Sequence, residues 1–147
     1  MHPAGLGLDV AMPCRPAKQV RQVLLAGQTV PMTMLACSEQ GHVFSVAVVD
    51  VAEPARVAAV LAALRLAALL NVQGRVLDER AAAVKGMTPH VDARQISIIG
   101  RLPDGQAMRE HLLVFSRGTR VYQAVALGAL LDAGTAAQFF DSIRATP

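Results

Sequence analysis

An α+β fold, a sheet covered by a helix, is what this sequence predicts, and two observations in its last third say so. Residues 95–99, 107–116 and 119–127 read as strands joined by tight turns, because Pro103-Asp104-Gly105 and Arg117-Gly118 supply turn chemistry. Phe139, Phe140 and Ile143 then fall at helical spacing, so residues 135–144 predict a short closing helix.

The earlier elements follow in order. Residues 1–6 read as a flexible terminus, and Gly5-Leu6-Gly7 is no phosphate loop, since no strand precedes it and no helix follows. Leu8, Val10 and Met12 alternate with Gly7, Asp9 and Ala11, the period-two pattern of a half-buried strand over 8–12, and Pro13-Cys14-Arg15-Pro16 stops it. Residues 19–26 resume in extended form, Gly27 punctuates, and 30–38 run back as a strand that Pro31 places near a sheet edge. After the turn Glu39-Gln40-Gly41, the run 42–51 is almost continuously apolar through Val43, Phe44, Val46, Val48, Val49 and Val51. That is the composition of a central strand covered on both faces.

Glu53-Pro54 opens a helix that runs to Asn71, with proline in the first turn where its missing N–H is not needed. Val57, Val60, Leu61, Leu64 and Ala68 form the stripe that packs on the sheet. Gly74 breaks the helix, and 76–84 reads as a strand, although Asp78-Glu79-Arg80-Ala81-Ala82-Ala83 also has helical propensity. Gly86-Met87-Thr88-Pro89 then turns into the terminal meander. With no repeat, low-complexity tract or linker, the chain 1–147 reads as one domain.

At 147 residues, 53% apolar and 17% charged, the chain belongs among folded proteins and can bury a substantial core. Aromatic residues make up only 3%, which leaves few platforms for stacking bases. Twelve of the fourteen basic residues are arginines, spread from Arg15 to Arg144 with no basic run. The pattern argues against nucleic-acid binding and reads as a solvated surface. Met1-His2-Pro3-Ala4-Gly5 has neither the basic nor the apolar region of a signal peptide. The longest apolar stretch, 57–70, is interrupted by Arg65 and is shorter than the roughly 20 residues a bilayer requires, so no membrane span is expected.

Met12-Pro13-Cys14-Arg15-Pro16, Asp50, Gly86 with Pro89, Gly118-Thr119-Arg120-Val121-Tyr122 and Phe139-Phe140-Asp141-Ser142-Ile143 stand in an order that resembles the PsbP-like superfamily over nearly the whole chain. The resemblance implies an antiparallel sheet flanked by helices, an α/β/α sandwich, and a non-enzymatic accessory, binding or assembly role. The chain is shorter than the plant members and lacks their extended N-terminal segment, so no part in oxygen evolution is carried over. Some relatives escort secreted effectors, which makes a cytosolic chaperone that shields an apolar segment the alternative within binding proteins.

Cys14 and Cys37 are the only cysteines, and one follows the first strand while the other lies on a strand that could neighbour it. A structural disulfide and two buried free thiols both fit, whereas a redox couple lacks Cys-x-x-Cys spacing. A disulfide implies a periplasmic or secreted protein, and reduced cysteines imply the cytoplasm. His2, His42, His90 and His111 show no metal-binding spacing. Glu110 and His111, adjacent on a strand, point to opposite faces and read as surface residues. Ser45, Ser97, Ser116 and Ser142 lack a nucleophile elbow, and Asp78-Glu79 and Asp50-x-x-Glu53 read as solvated charge or a helix-dipole contact. Tyr122 reads as a buried ring with a bonded hydroxyl.

The most suggestive feature is the outer face of the long helix, Ala59, Ala62, Ala63, Leu66 and Leu70, flanked by Arg56 and Arg65. A helix apolar all round needs cover on both sides, so this face is a candidate interface with another protein or a second copy. The expectation is therefore a non-catalytic binding or assembly module that uses no cofactor or metal, with any small-molecule ligand left open. A small hydrolase or isomerase with a sheet–helix pocket served by His90 or His111 is the reading from another class.

Overall fold

The computed structural model describes residues 5–147. Strands β1 (Leu8–Asp9), β2 (Ala17–Leu25), β3 (Gln28–Glu39), β4 (His42–Asp50), β5 (Arg75–Ala81), β6 (Arg94–Arg101), β7 (Ala107–Arg117), β8 (Arg120–Gly128) and β9 (Arg144–Ala145) are joined by helices α1 (Val57–Asn71) and α2 (Ala133–Asp141). Seven of the strands form one antiparallel sheet in the order β2-β3-β4-β8-β7-β6-β5. Two meanders, β2-β3-β4 and β5-β6-β7-β8, thus meet along β4 and β8. The hairpins of the first are set by local turn chemistry: Ala26-Gly27 and Gln40-Gly41 all take positive φ, the condition for a two-residue turn whose twist matches the strands.

Alternation along the strands sorts the apolar side chains into two cores. Val46 and Val48 of β4, Leu113 and Phe115 of β7, and Tyr122 and Ala124 of β8 pack on one face, with Ala136, Phe139 and Phe140 of α2. Ala47 and Val49, Leu112 and Val114, and Val121 pack on the other, beneath Val57, Val60, Leu61, Leu64 and Ala68 of α1. The two helices therefore lie on opposite faces, and β4 is covered on both sides, as its composition predicts. The buried stripe of α1 is the expected one. By length and composition alone the helical run Pro54–Asn71 could cross a bilayer. Here its apolar stripe is seated on the sheet.

Differences from expectation concern the ends of elements. The helix predicted over 135–144 begins earlier and stops sooner, because Asp132 accepts the Thr135 N–H at 2.6 Å as N-cap while the Ser142 hydroxyl donates back to the Phe139 carbonyl at 2.7 Å. Arg144 instead enters β9, which pairs with β1, Leu8 opposite Ala145 and Asp9 opposite Arg144. The strand expected over 8–12 is only two residues long, although Leu8 and Val10 are buried as the alternation requires. β5 is extended rather than helical, with an irregularity between Val76 and Asp78, and ends at Ala81 rather than 84.

The expected flexible terminus does not reach Leu6, whose side chain is fully buried. The Tyr122 hydroxyl donates to the carbonyls of Leu6 at 2.8 Å and Gly7 at 3.1 Å, and the Thr146 N–H also bonds Gly7. Residues 1–4 lie outside the described residues.

Cys14 and Cys37 form a disulfide with Cα atoms 5.7 Å apart. The strand beside β3 is β2 rather than β1. The bridge forms because Cys14 leads directly into β2, where Ala17 stands opposite Ala36, and it fastens the N-terminal segment to the sheet. Zero reactive thiols are expected in the denatured protein without reductant, and Cys14→Ala with Cys37→Ala should lose about 3 kcal/mol in urea unfolding. Two titratable thiols in the unreduced protein would contradict the bridge.

Candidate functional site

The residues of α1 singled out as a candidate interface lie on its solvent side, Ala63 excepted. Leu66 and Leu70 are 57% and 67% exposed, and Ala59 and Ala62 are open beside them. Ala63 departs from the expectation: it is half-buried against the core under α1 and belongs to the flank of the helix. Leu66 and Ala62 share a groove of about 390 Å³ with Val91, which lies in the loop before β6 and is 82% exposed. The groove adds an apolar element that helical periodicity could not reveal, because Val91 is brought to α1 by tertiary folding.

One wall of this groove is ionic. Glu79 on β5 accepts from Arg65 of α1 at 2.6 Å and from Arg94 of β6 at 2.8 Å. The Arg65 hydrogen bond, followed by that of Arg94, holds the Glu79 carboxyl below its ordinary range against an opposing effect of burial. Glu79 is therefore not simply solvated charge, and Arg65 and Arg94 are not simply a solvated surface. The triad ties α1 to the β5 margin, and being partly exposed it contributes about 1 kcal/mol or less per pair.

Glu110 and His111 are the clearest correction. Both were expected at the surface, and both are buried, because β7 lies inside the sheet with strands on both sides and cover on both faces. Alternation does send them to opposite faces, so they form no acid–base relay. Glu110 shares the face of Leu112 under α1, opposite Ile98 and Leu127, and burial pushes its carboxyl up to about 7. His111 shares the other face with Ser97, whose hydroxyl lies 3.1 Å from Nδ1. Burial, then the charge of Arg109, holds the imidazole below its usual range. Glu110 Oε2, His111 Nε2 and the Ser116 hydroxyl have no hydrogen-bond partner among the described residues.

His90 lies apart in a loop, where Nδ1 accepts the Asp92 N–H at 2.9 Å. Ser45 is on β4, and Ser142 closes α2. Asp50 accepts the Ala52 N–H at 2.9 Å and lines an open recess of about 650 Å³ with Thr88, Arg117 and Arg120. Arg117 is engaged there by the Gly86 carbonyl at 2.7 Å. Among the described residues no three histidine, cysteine, aspartate or glutamate side chains converge in a way that could hold a metal.

Glu110 generates a prediction with a definite sign. Between pH 4.5 and about 7 the unfolded chain has released a proton that the folded chain retains, so the group's effect is falling stability as pH rises through that window. Glu110→Gln should remove that dependence and make the protein more stable than wild type at pH 8, by up to about 3 kcal/mol, with the difference vanishing towards pH 4. Urea midpoints at both pH values check it, and a pH-independent difference would count against a neutral buried carboxyl.

Comparison with known protein families, with curated proteins and with solved structures returns no match in any of the three.

Proposed function

We propose that the protein is a non-catalytic binding or assembly module of PsbP-like form, periplasmic or secreted, that meets another copy or another protein through the outer face of α1. The observation that carries this reading is the exposure of Leu66 and Leu70 on a helix whose opposite stripe already anchors it to the sheet. Nothing in the fold requires leucine at those positions, and Leu66 with Val91 forms an apolar margin to a groove.

Two features support the remainder. Helices on opposite faces of an antiparallel sheet are the arrangement that the resemblance implies. The Cys14–Cys37 disulfide fits an oxidising compartment and speaks against the cytosolic chaperone, which would keep both thiols reduced. A hydrolase or isomerase would need His90 or His111 in a sheet–helix pocket. His90 Nδ1 is occupied by a backbone N–H and the His111 ring is buried beside Ser97, so binding is the better-supported reading.

Leu66→Glu with Leu70→Glu tests the face, since both positions are solvent-exposed and the change should leave the thermal melt within a few degrees. Light scattering is expected to give a mass above that of the 15.5 kDa chain for the wild type and the chain mass for the double variant. Equal masses for the two proteins would count against self-association through α1.

A further inference from the structure

The sheet register gathers arginines that lie far apart in the sequence. Arg75 of β5 stands opposite Ile99 of β6, Ile99 stands opposite Arg109 of β7, and Arg101 lies two residues beyond Ile99 on the same face. Ile98 is buried beneath α1, so these side chains belong to the other face of the sheet. α2 covers that face along β7 and β8 and leaves this margin open. Gln73, Arg75, Ile99, Arg101 and Ala107 line a recess of about 260 Å³ there, and Arg109 lies beside it on the neighbouring strand, opposite Ile99.

The recess has a fixed wall. A Cβ on Gly100 would lie 2.3 Å from the Val72 carbonyl oxygen, and one on Gly74 would lie 2.5 Å from Ile98 Cγ2, so both glycines are needed for the end of α1 to close on β6. The Arg101 N–H bonds the Val72 carbonyl across that contact. Gln73 is held at the rim with φ of 47°.

Arg75, Arg101 and Arg109 take part in no ion pair among the described residues. Arg101 donates one guanidinium N–H to the Gly105 carbonyl at 3.2 Å, which steadies it and leaves the rest of its fork available. The carboxylate that the register places on this face of β5 is Asp78, opposite Ser97 and two ladder positions from Ile99, where it stands between Arg75 and Arg80. Three guanidinium groups around an isoleucine, spanning two strand intervals or about 10 Å, repel one another until an anion enters. Guanidinium forks match oxyanions in geometry as well as in charge.

We propose that this recess binds a small polyvalent oxyanion, a phosphate ester or a polycarboxylate. Its volume is below the usual range for drug-sized ligands, and the spacing of the arginines suits a ligand with more than one anionic group. The site is separate from the outer face of α1 and does not depend on it.

Calorimetric titration of the full chain with pyrophosphate and, separately, with citrate tests the proposal. One saturable site is expected for at least one of them, and the tighter of the two identifies the ligand as phosphoryl or carboxylate. Arg75→Ala and Arg101→Ala, at the two arginines that line the recess, should each weaken binding about tenfold or more, and Arg75→Lys, which keeps the charge and loses the fork, should fall between. Arg21→Ala on β2, at the far edge of the sheet, should bind as wild type does. Absence of saturable binding by both probes, or equal weakening by Arg21→Ala, would overturn the site in favour of diffuse surface charge.

Discussion

The contact on which the rest of the structure depends is the antiparallel docking of β4 against β8, from Val43 opposite Leu127 to Asp50 opposite Arg120. Each meander can form from its own turns. Left alone, each would expose an edge of unpaired N–H and C=O groups and a sheet too narrow to bury either helix. Once β4 meets β8, both become interior strands, and their alternating side chains supply two cores at once. The Val51 N–H bonded to the Thr119 carbonyl at 3.0 Å carries the pairing one step past the strand end, towards the start of α1.

That arrangement also explains where the molecule tolerates awkward chemistry. β7 opens on the mixed sequence Ala107-Met108-Arg109-Glu110-His111 and is wholly apolar only from Leu112 to Phe115, yet it must run through the interior of the sheet. Glu110 and His111 fall where cover has already begun on both faces. A carboxyl without a counter-charge remains protonated up to about pH 7, and an imidazole without a strong acceptor favours its neutral form. Arg109, on the face of His111 but nearer the strand end, escapes burial and joins the open arginine margin.

The surfaces proposed for binding share a physical basis. One is the solvent side of the helix that covers the sheet, the other lies where cover stops, and each is backed by rigid structure. α1 is fixed by its inner stripe and by Glu79, which leaves Leu66 and Leu70 facing outward. The arginine recess is fixed by two glycines that let the helix end close on β6. At the other end of the sheet the N-terminal segment is strapped down by the Cys14–Cys37 bridge, by β1 against β9 and by the Tyr122 hydroxyl.

Local periodicity determined most of the elements. The apolar run of β4, the stripe from Val57 to Ala68 and the turns at Gly27, Gly41 and Gly118 are short-range signals, because a period of two or 3.6 and a positive φ are imposed within a few residues. The outward leucines of α1 were legible for the same reason. Tertiary structure alone decided the strand order, the pairing of β1 with β9, the burial of Glu110 and His111, the place of Val91 beside Leu66 and the convergence of Arg75, Arg101 and Arg109. Those outcomes follow from which distant strands exchange backbone hydrogen bonds and from what then covers each face. Every backbone offers the same donors and acceptors, so the residues of one strand carry no local record of its partner.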